Sequence, residues 1–180
     1  MKNLKPLTIE SAPDAAKKGM EAAQKKYGFI PNMMAIFAHA PALLDGYLAL
    51  GAAWEKSSLT VKERQLILLT ASVENKCSYG VAVHATVLKS LGVDGKAIKA
   101  VRSKSPLSDE KLNALVALTR ELVMERGFVA ERIKEQFIEN GYDESALMEV
   151  LVGIALMTMT NYLDHLNPVS IDPAFQAGLN

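Results

Sequence analysis

Helix start and stop signals bracket the apolar pattern between Thr60 and Gly92, and this stretch constrains the fold more than any other. Thr60 followed three residues later by Glu63 is a capping box, in which each residue satisfies a free backbone N–H of the other. Apolar residues then recur at helical spacing until Asn75, which can end this helix or cap a second one. The second helix begins near Lys76 and stops at Gly92, a residue type common just past a helix end. Two helices in series are therefore predicted.

The rest of the chain shows the same helical period, and no segment alternates in the manner of a half-buried strand with hairpin turns. Ser11, Asn32, Ser108 and Asp143 are suitable N-caps for four of the remaining helices. The sequence predicts an all-α protein. Besides the central pair, helices are expected at about 11–26, 32–38, 41–56, 94–102, 108–126, 130–139 and 143–166.

Length and charge limit the classes of function. The 180 residues predict one domain, 1–180, with a core at about 27–172 and a loosely packed tail at about 168–180. The 20 basic and 20 acidic residues balance, so nothing in the charge favours a nucleic-acid partner. One cysteine excludes an intrachain disulfide and fits a reducing compartment, and no secretory signal is visible at the N-terminus. We expect a cytoplasmic protein.

The last long helix is unusually apolar. Between Ala146 and Met159 only Glu149 is charged, and a helix that is apolar on all sides must be buried on all sides. This run is shorter than the roughly 20 residues that a membrane span needs, so no membrane is expected. A small helical domain has little room for a fully surrounded helix. We therefore expect part of it to lie in a subunit interface.

Cys77 and His84 are the side chains best suited to take part in a reaction. Cys77 is the sole cysteine, and it falls in the first turn of the second helix, where the helix dipole and Lys76 favour a thiolate. Seven residues place His84 on the same face, roughly 20° away in azimuth and about 10 Å along the axis. Because helical side chains lean toward the N-terminus, His84 points back at Gly80. A direct Cys77–His84 hydrogen bond is not expected, although a water or a substrate could bridge them.

The motif around these residues resembles that of a known superfamily. Residues 74–84 read E-N-K-C-S-Y-G-x-x-x-H, similar to the E-x-x-C-x-x-C-x-x-x-H signature of the carboxymuconolactone decarboxylase and alkylhydroperoxidase D (AhpD) superfamily. Further similarity to its peroxidase-related branch lies at 30–32, 40–44, 59–64 and 161–165, so the resemblance covers roughly 27–172. It implies an AhpD-like multi-helical bundle that assembles into homo-oligomers, trimers or hexamers.

Two positions depart from the family's redox pattern. The first motif cysteine falls on Cys77 and the histidine on His84, but the second cysteine falls on Gly80. The proton-relay glutamate of the family falls on Gln65, and an amide cannot take a proton from a thiol at neutral pH. Without a second thiol the usual dithiol cycle is not available to one chain.

The neighbouring polar residues each have two interpretations. Glu74 lies at the helix junction, where it anchors helix ends or stands in as a base for the missing glutamate at position 65. Gln65 orients a water toward His84 or is a neutral replacement. Tyr79 donates a hydrogen bond in a pocket or only packs. Gly80 costs about 1 kcal/mol against Ala inside a helix, which indicates that space is needed there. Loss of a cysteine by drift would give the same residue.

Asn161 and His165 are four residues apart on the last helix and share a face. They line a substrate pocket or satisfy the end of the helix. No short metal-ligand spacing is present, so no metal and no cofactor are expected.

Three functions remain open. In the first, Cys77 is the nucleophile of a thiol-dependent peroxidase, His84 and a water handle the proton, and an external thiol reductant resolves the sulfenic acid. In the second, His84 acts as the acid or base on a small carboxylated lactone or related ring, as the resemblance to the decarboxylase branch of the superfamily implies. In the third, the chain is a non-catalytic module for ligand binding or assembly. The first two imply a small hydroperoxide or a carboxylated ring as substrate.

Overall fold

The computed structural model describes residues 4–179, and this part of the chain contains nine α-helices, one short 3-10 helix and no β-strand. The fold is therefore all-α, as the sequence predicts. The helices are α1 (Asp14–Tyr27), α2 (Asn32–Phe37), α3 (Pro41–Trp54), α4 (Val61–Glu74), α5 (Ser78–Ser90), α6 (Gly95–Arg102), α7 (Glu110–Met124), α8 (Glu131–Glu139) and α9 (Glu144–Leu166), followed by the 3-10 helix Pro173–Leu179.

The predicted capping box at the start of α4 is confirmed. The hydroxyl of Thr60 accepts a hydrogen bond from the Glu63 backbone N–H, and the Glu63 carboxylate accepts one from the Thr60 N–H. At the other end Asn75 is the C-cap of α4, which resolves its two interpretations. Asp143 caps α9 as predicted, through a 2.7 Å bond from the Ala146 N–H.

Three predicted caps lie one or two residues away from the observed ones. α1 begins at Asp14 after Pro13, because the Ser11 hydroxyl is used in a local turn with Thr8. Asp109, rather than Ser108, accepts the Leu112 N–H at the start of α7. Asn32 is the first residue of α2, and its N–H bonds to Asp172 far along the chain. At α7 the two neighbouring polar residues are both suitable caps, whereas α1 and α2 begin after a proline without a side-chain cap bond.

α4 is the central helix of the bundle and packs against α5, α7 and α9. Leu66, Ile67 and Leu69 on α4 are fully buried, so this helix contributes to more than one side of the core. On one side the core continues through α7 to α8, where Phe137 stacks on Tyr142. Helices α1 to α3 form a second apolar cluster on the opposite side of α5 and α9.

α9 is half core helix and half exposed apolar surface. It is long and apolar enough to cross a membrane by length and composition alone, but its inner face packs against α3, α4 and α5 within the bundle. Its outer face exposes large apolar side chains, namely Met148, Leu151, Tyr162 and Leu166. Part of this apolar helix is therefore exposed in the single chain, and this exposed face is the part for which the sequence predicts a subunit interface.

The segment after α9 is packed against the bundle, whereas the sequence suggested a loosely packed tail. The Asp172 carboxylate accepts the Tyr79 hydroxyl at 2.7 Å, and Thr86 on α5 donates to the Phe175 carbonyl at 3.0 Å. Arg102 donates to the Gly178 carbonyl at 3.2 Å. We call residues 172–179 the C-terminal strap. Backbone carbonyls of the strap accept side-chain donors, a pattern that residue composition does not predict.

We expect Gly178→Ala to detach the strap from α5. A methyl group at this position would overlap the Ala82 carbonyl oxygen and lie 2.8 Å from its carbonyl carbon, and that backbone cannot move aside. Hydrogen exchange of 172–179 should become faster in this variant, while α4 and α9 stay protected.

Gly95→Ala is the matched control, because a methyl group at that site meets nothing within 4 Å. Unchanged exchange of the strap in Gly178→Ala would show that the strap does not depend on this close approach.

Candidate functional site

The site is built where α4 and α5 approach each other closely. A Cβ at position 80 would lie 2.9 Å from the Ser72 Cβ, overlap the Ser72 hydroxyl and come within 3.1 Å of Asn161 Oδ1. Only glycine fits there. Ser72 is itself held, because its hydroxyl donates to the Leu68 carbonyl at 2.8 Å. Gly80 is therefore a packing requirement of this chain, and a cysteine side chain in its place would collide with Ser72.

A cavity of about 710 Å³ opens beside this contact. Its walls come from α1, α2 and α3 on one side and from α4, α5 and α9 on the other, and they are mainly aliphatic and aromatic. His84, Gln65, Tyr79 and Gly80 line it, whereas Cys77 does not. A largely apolar cavity of this size with a few convergent polar groups is the usual form of a small-molecule site.

His84 is the main polar group of the cavity. Its Nδ1 lies 2.8 Å from Gln65 Oε1, so Nδ1 carries the hydrogen and donates it to the amide oxygen. Nε2 has no hydrogen-bond partner in residues 4–179 and remains an acceptor. Burial lowers the pKa of His84 to about 3, because the charged imidazolium is poorly solvated there and no carboxylate offsets the loss. The ring is neutral at physiological pH.

Cys77 lies outside this cavity, at the N-cap of α5, with no solvent exposure. Its Sγ donates to Asp164 Oδ2 at 3.3 Å and accepts the Gly80 N–H at 3.3 Å. Burial raises the pKa of the thiol to about 12, and the Asp164 carboxylate adds to the increase. The sequence-based expectation that the pKa of Cys77 is lowered was therefore wrong. Desolvation and a buried carboxylate outweigh the favourable position at the helix start.

Glu74 also lies away from the cavity and anchors three elements. Its carboxylate accepts Arg120 Nε at 2.7 Å and Lys104 Nζ at 2.5 Å, and its side chain is almost completely buried. The anchoring interpretation therefore describes its contacts, because both carboxylate oxygens of Glu74 bind cations. A buried carboxylate held by two cations is a structural connection between α4, α7 and the loop before α7.

The structure separates the other predicted pocket residues. Tyr79 lines the cavity, but its hydroxyl donates to Asp172, and burial raises the pKa of this phenol. Asn161 is fully buried behind Gly80 and donates to the Ala71 carbonyl at 3.4 Å. His165 is exposed on the outer side of α9. Neither Asn161 nor His165 lines the cavity, because Asn161 packs against α4 and His165 lies on the exposed outer face of α9.

Sequence reasoning missed four residues that shape the site. Ser72 excludes a side chain at position 80, Asp164 holds the thiol, and Arg64 and Phe175 line the cavity. Asp164 lies three residues after Asn161, so helical spacing could have placed it on the same face. Nothing in the sequence indicates that Phe175 returns to α5, because that contact depends on the path of the strap.

Within residues 4–179, no group of three or more His, Cys, Asp or Glu side chains is arranged to hold a metal ion. The polar groups that face the cavity are a neutral imidazole, an amide and a few side chains at its rim. These groups can donate hydrogen bonds to a bound molecule and accept hydrogen bonds from it.

A sequence model of the carboxymuconolactone decarboxylase family matches residues 41–121, from α3 to α7, and this segment contains both Cys77 and His84. The resemblance drawn from the motif is thereby confirmed. None of the curated proteins is significantly similar to the chain in sequence.

Solved structures share the fold over nearly the whole chain. An uncharacterised peroxidase-related protein from Ralstonia eutropha JMP134, described as an alkylhydroperoxidase AhpD core, superposes with a TM-score of 0.84 at 20% identity, covering 96% of this chain and 93% of its own. A peroxidase-related protein from Silicibacter sp. TM1040 has a TM-score of 0.80 at 19% identity, with coverages of 97% and 96%. A cysteine-to-alanine variant of the debrominase Bmp8, in complex with 2,3,4-tribromopyrrole, has a TM-score of 0.80 at 17% identity, with coverages of 97% and 94%. These similarities establish an AhpD-like helical fold.

The low pKa of His84 predicts a specific dependence of stability on pH. The unfolded chain protonates this residue near pH 6.5 and the folded chain near pH 3, so the unfolded state binds more protons between these values. Stability should therefore fall as pH decreases through this window, by about 1.4 kcal/mol per pH unit from this group.

Urea unfolding of wild type and His84→Gln at several pH values from about 5.5 to 4 isolates this contribution. The variant should lose that part of the slope, whereas the exposed His165→Gln should keep it. Parallel slopes for wild type and His84→Gln would mean that His84 is charged in the folded protein.

Cys77 should react very slowly with iodoacetamide in the folded protein. With a pKa of about 12, about one thiol in ten thousand is ionised at pH 8, and the sulfur is also shielded. Asp164→Asn should accelerate alkylation, because it removes the negative charge beside the sulfur. Asp94→Asn, at an exposed helix cap, should leave the rate unchanged.

Mass spectrometry of timed samples gives both rates. Rapid alkylation of wild-type Cys77 under native conditions, at a rate near that of a free thiol, would contradict the sealed geometry.

Proposed function

We propose that this chain, whose residues 41–121 belong to the carboxymuconolactone decarboxylase family, binds a small, largely apolar molecule in the cavity beside His84. The observation that carries this proposal is the division of the motif between two environments. His84 faces a cavity of about 710 Å³, whereas Cys77 does not line this cavity and is fully buried beside Asp164. Binding at the cavity therefore needs no participation of the thiol.

The state of His84 favours binding over acid–base chemistry. A general base works best with a pKa near the working pH, and burial lowers the pKa of His84 to about 3. Its Nδ1–H is already used by Gln65, so Nε2 is available as a hydrogen-bond acceptor. A ligand with one O–H or N–H donor on an apolar ring would match this group.

The thiol-dependent peroxidase is the less favoured proposal. A peroxidase nucleophile must be an accessible thiolate, but Cys77 is buried and burial raises its pKa to about 12. The position of the second family cysteine is Gly80, where Ser72 leaves no room for a side chain. Gln65 bonds to His84 and cannot relay a proton as a glutamate does.

The similar fold of the debrominase Bmp8 supports the size and shape of the proposed ligand. That protein was crystallised with 2,3,4-tribromopyrrole, a compact apolar ring that carries one N–H. We propose a ring of comparable size here, without transferring the debromination reaction. Dehalogenation in this chain would need its own redox partner, and the only thiol lies outside the cavity.

We also propose that the protein is a cytoplasmic homo-oligomer. The exposed apolar residues on the outer face of α9, which include Met148 and Leu166, form the surface best suited to a second copy. A trimer or a hexamer remains the proposed assembly.

Bromophenol titrations test the proposed binding site. Trp54 is the only tryptophan and lines the cavity, so a bound bromine atom should quench its fluorescence. We expect 4-bromophenol to quench and bind. His84→Phe should weaken this binding roughly tenfold, the usual effect of one lost hydrogen bond. Binding of 4-bromoanisole, which has no donor, should be insensitive to the same change.

Two controls make the result specific. Cys77→Ser keeps a cap at α5 and should bind 4-bromophenol as wild type does, and His165→Phe makes the matched change outside the cavity. Binding that requires Cys77 but tolerates His84→Phe would overturn the proposal and restore the thiol hypothesis.

A further inference from the structure

Arg64 is a cation in the cavity wall, and no acidic side chain of residues 4–179 pairs with it. It lies in the first turn of α4, lines the cavity and is partly buried. Its Nη1 donates to the backbone carbonyl of Glu55 at 3.1 Å, which joins it to the end of α3. Within residues 4–179 it forms no ion pair, in contrast to the other arginine of the core, Arg120, which binds Glu74.

The charges around Arg64 leave an excess of positive charge at the rim. Among the lining residues, the charged side chains are Lys26, Glu55 and Arg64. Lys26 and Glu55 form an ion pair with each other, so Arg64 is the cation left over. His84, deeper in the wall, is neutral because burial lowers its pKa to about 3. Among the described residues that line the cavity, Arg64 is therefore the one charge without a counter-charge.

The rest of the wall is suited to an apolar body. Met33, Met34, Leu68 and Leu156 line it, and Phe175 from the strap contributes an aromatic ring. Methionine side chains adapt to ligands of variable shape, because they are unbranched and polarisable. An apolar tail can occupy this space while a charged head stays at the rim.

We propose that the ligand of this cavity is an amphipathic monocarboxylate, with its acid group on Arg64 and, between the apolar walls, the apolar ring whose O–H or N–H donates to His84. The inference rests on the proposed binding function and adds the ligand class. The planar guanidinium matches a carboxylate in geometry, and one uncompensated cation matches one negative charge. A phosphate monoester would bring nearly two charges to the same rim.

Octanoate and octan-1-ol are the test pair, because they share an eight-carbon chain and differ in charge. Isothermal titration at pH 7.5 should show tighter binding of octanoate. Arg64→Gln should weaken octanoate binding roughly 10- to 100-fold, the effect expected for a lost charge-assisted hydrogen bond, and should leave octan-1-ol binding unchanged. Glutamine keeps an amide N–H donor but is shorter than arginine, so the thermal unfolding of this variant is measured alongside its binding.

Two further variants keep the result interpretable. Lys62→Gln removes the same charge from the same helical turn at an exposed position outside the cavity, and it should change neither affinity. Arg64→Lys should retain part of the preference for octanoate. Thermal unfolding of each variant shows whether it is folded. If Arg64→Gln does not fold, the binding preference of Arg64→Lys tests the proposal in its place.

The outcomes separate the ligand class from the binding function. If octan-1-ol binds as tightly as octanoate in wild type, or if Lys62→Gln and Arg64→Gln weaken octanoate equally, the carboxylate assignment is wrong while binding stands. If octyl phosphate binds more tightly than octanoate, the class of anion is wrong. If neither octanoate, octan-1-ol nor 4-bromophenol binds, the proposed function itself fails.

Discussion

The close contact of α4 with α5 at Gly80 determines how the motif residues are distributed. Without a side chain at position 80, Ser72 can lie directly against the α5 backbone, and Asn161 closes the contact from α9. Gly80 carries a cost of about 1 kcal/mol in helix propensity, which the packing of three core helices offsets. Because the two helices are fixed here, His84 one turn later meets Gln65 on α4.

The same contact divides the chemistry of α5 between two environments. In the cavity wall the imidazole is neutral, because burial lowers its pKa to about 3. Outside the cavity the thiol is kept protonated by burial and by Asp164, which accepts the S–H hydrogen bond. Both groups are uncharged at neutral pH, so neither is poised for proton transfer. The site is better suited to recognition by shape and hydrogen bonds.

The helices and the family resemblance could be predicted from the sequence, because capping residues and the 3.6-residue period are local signals. The box of Thr60 with Glu63 and the cap at Asp143 lie where those signals put them. The Cys77 environment could not be predicted, because it depends on Asp164, which is 87 residues away in the chain. A position at a helix start predicts a low thiol pKa only when the sulfur stays solvated.

The composition of the cavity wall also depends on contacts between residues that are far apart in the chain. The shared helical face of Cys77 and His84 was a sound geometric inference, but residue 77 precedes the helix as its cap and turns toward α9. His165 is four residues after Asn161, yet it is exposed while Asn161 is fully buried, because the buried face of α9 at this level continues through Asp164 and not through residue 165. The strap adds Phe175 to the wall through backbone contacts that carry no sequence signal.

The central claim is that the bound molecule meets His84 and not Cys77. NMR of protein with labelled histidine and cysteine tests it most directly, by following the His84 Nε2 and Cys77 Cβ resonances together during addition of 4-bromophenol. The account predicts that the Nε2 signal shifts in a saturable manner while the Cβ signal keeps the position of a reduced thiol. A saturable shift at Cys77 with His84 unmoved would contradict it.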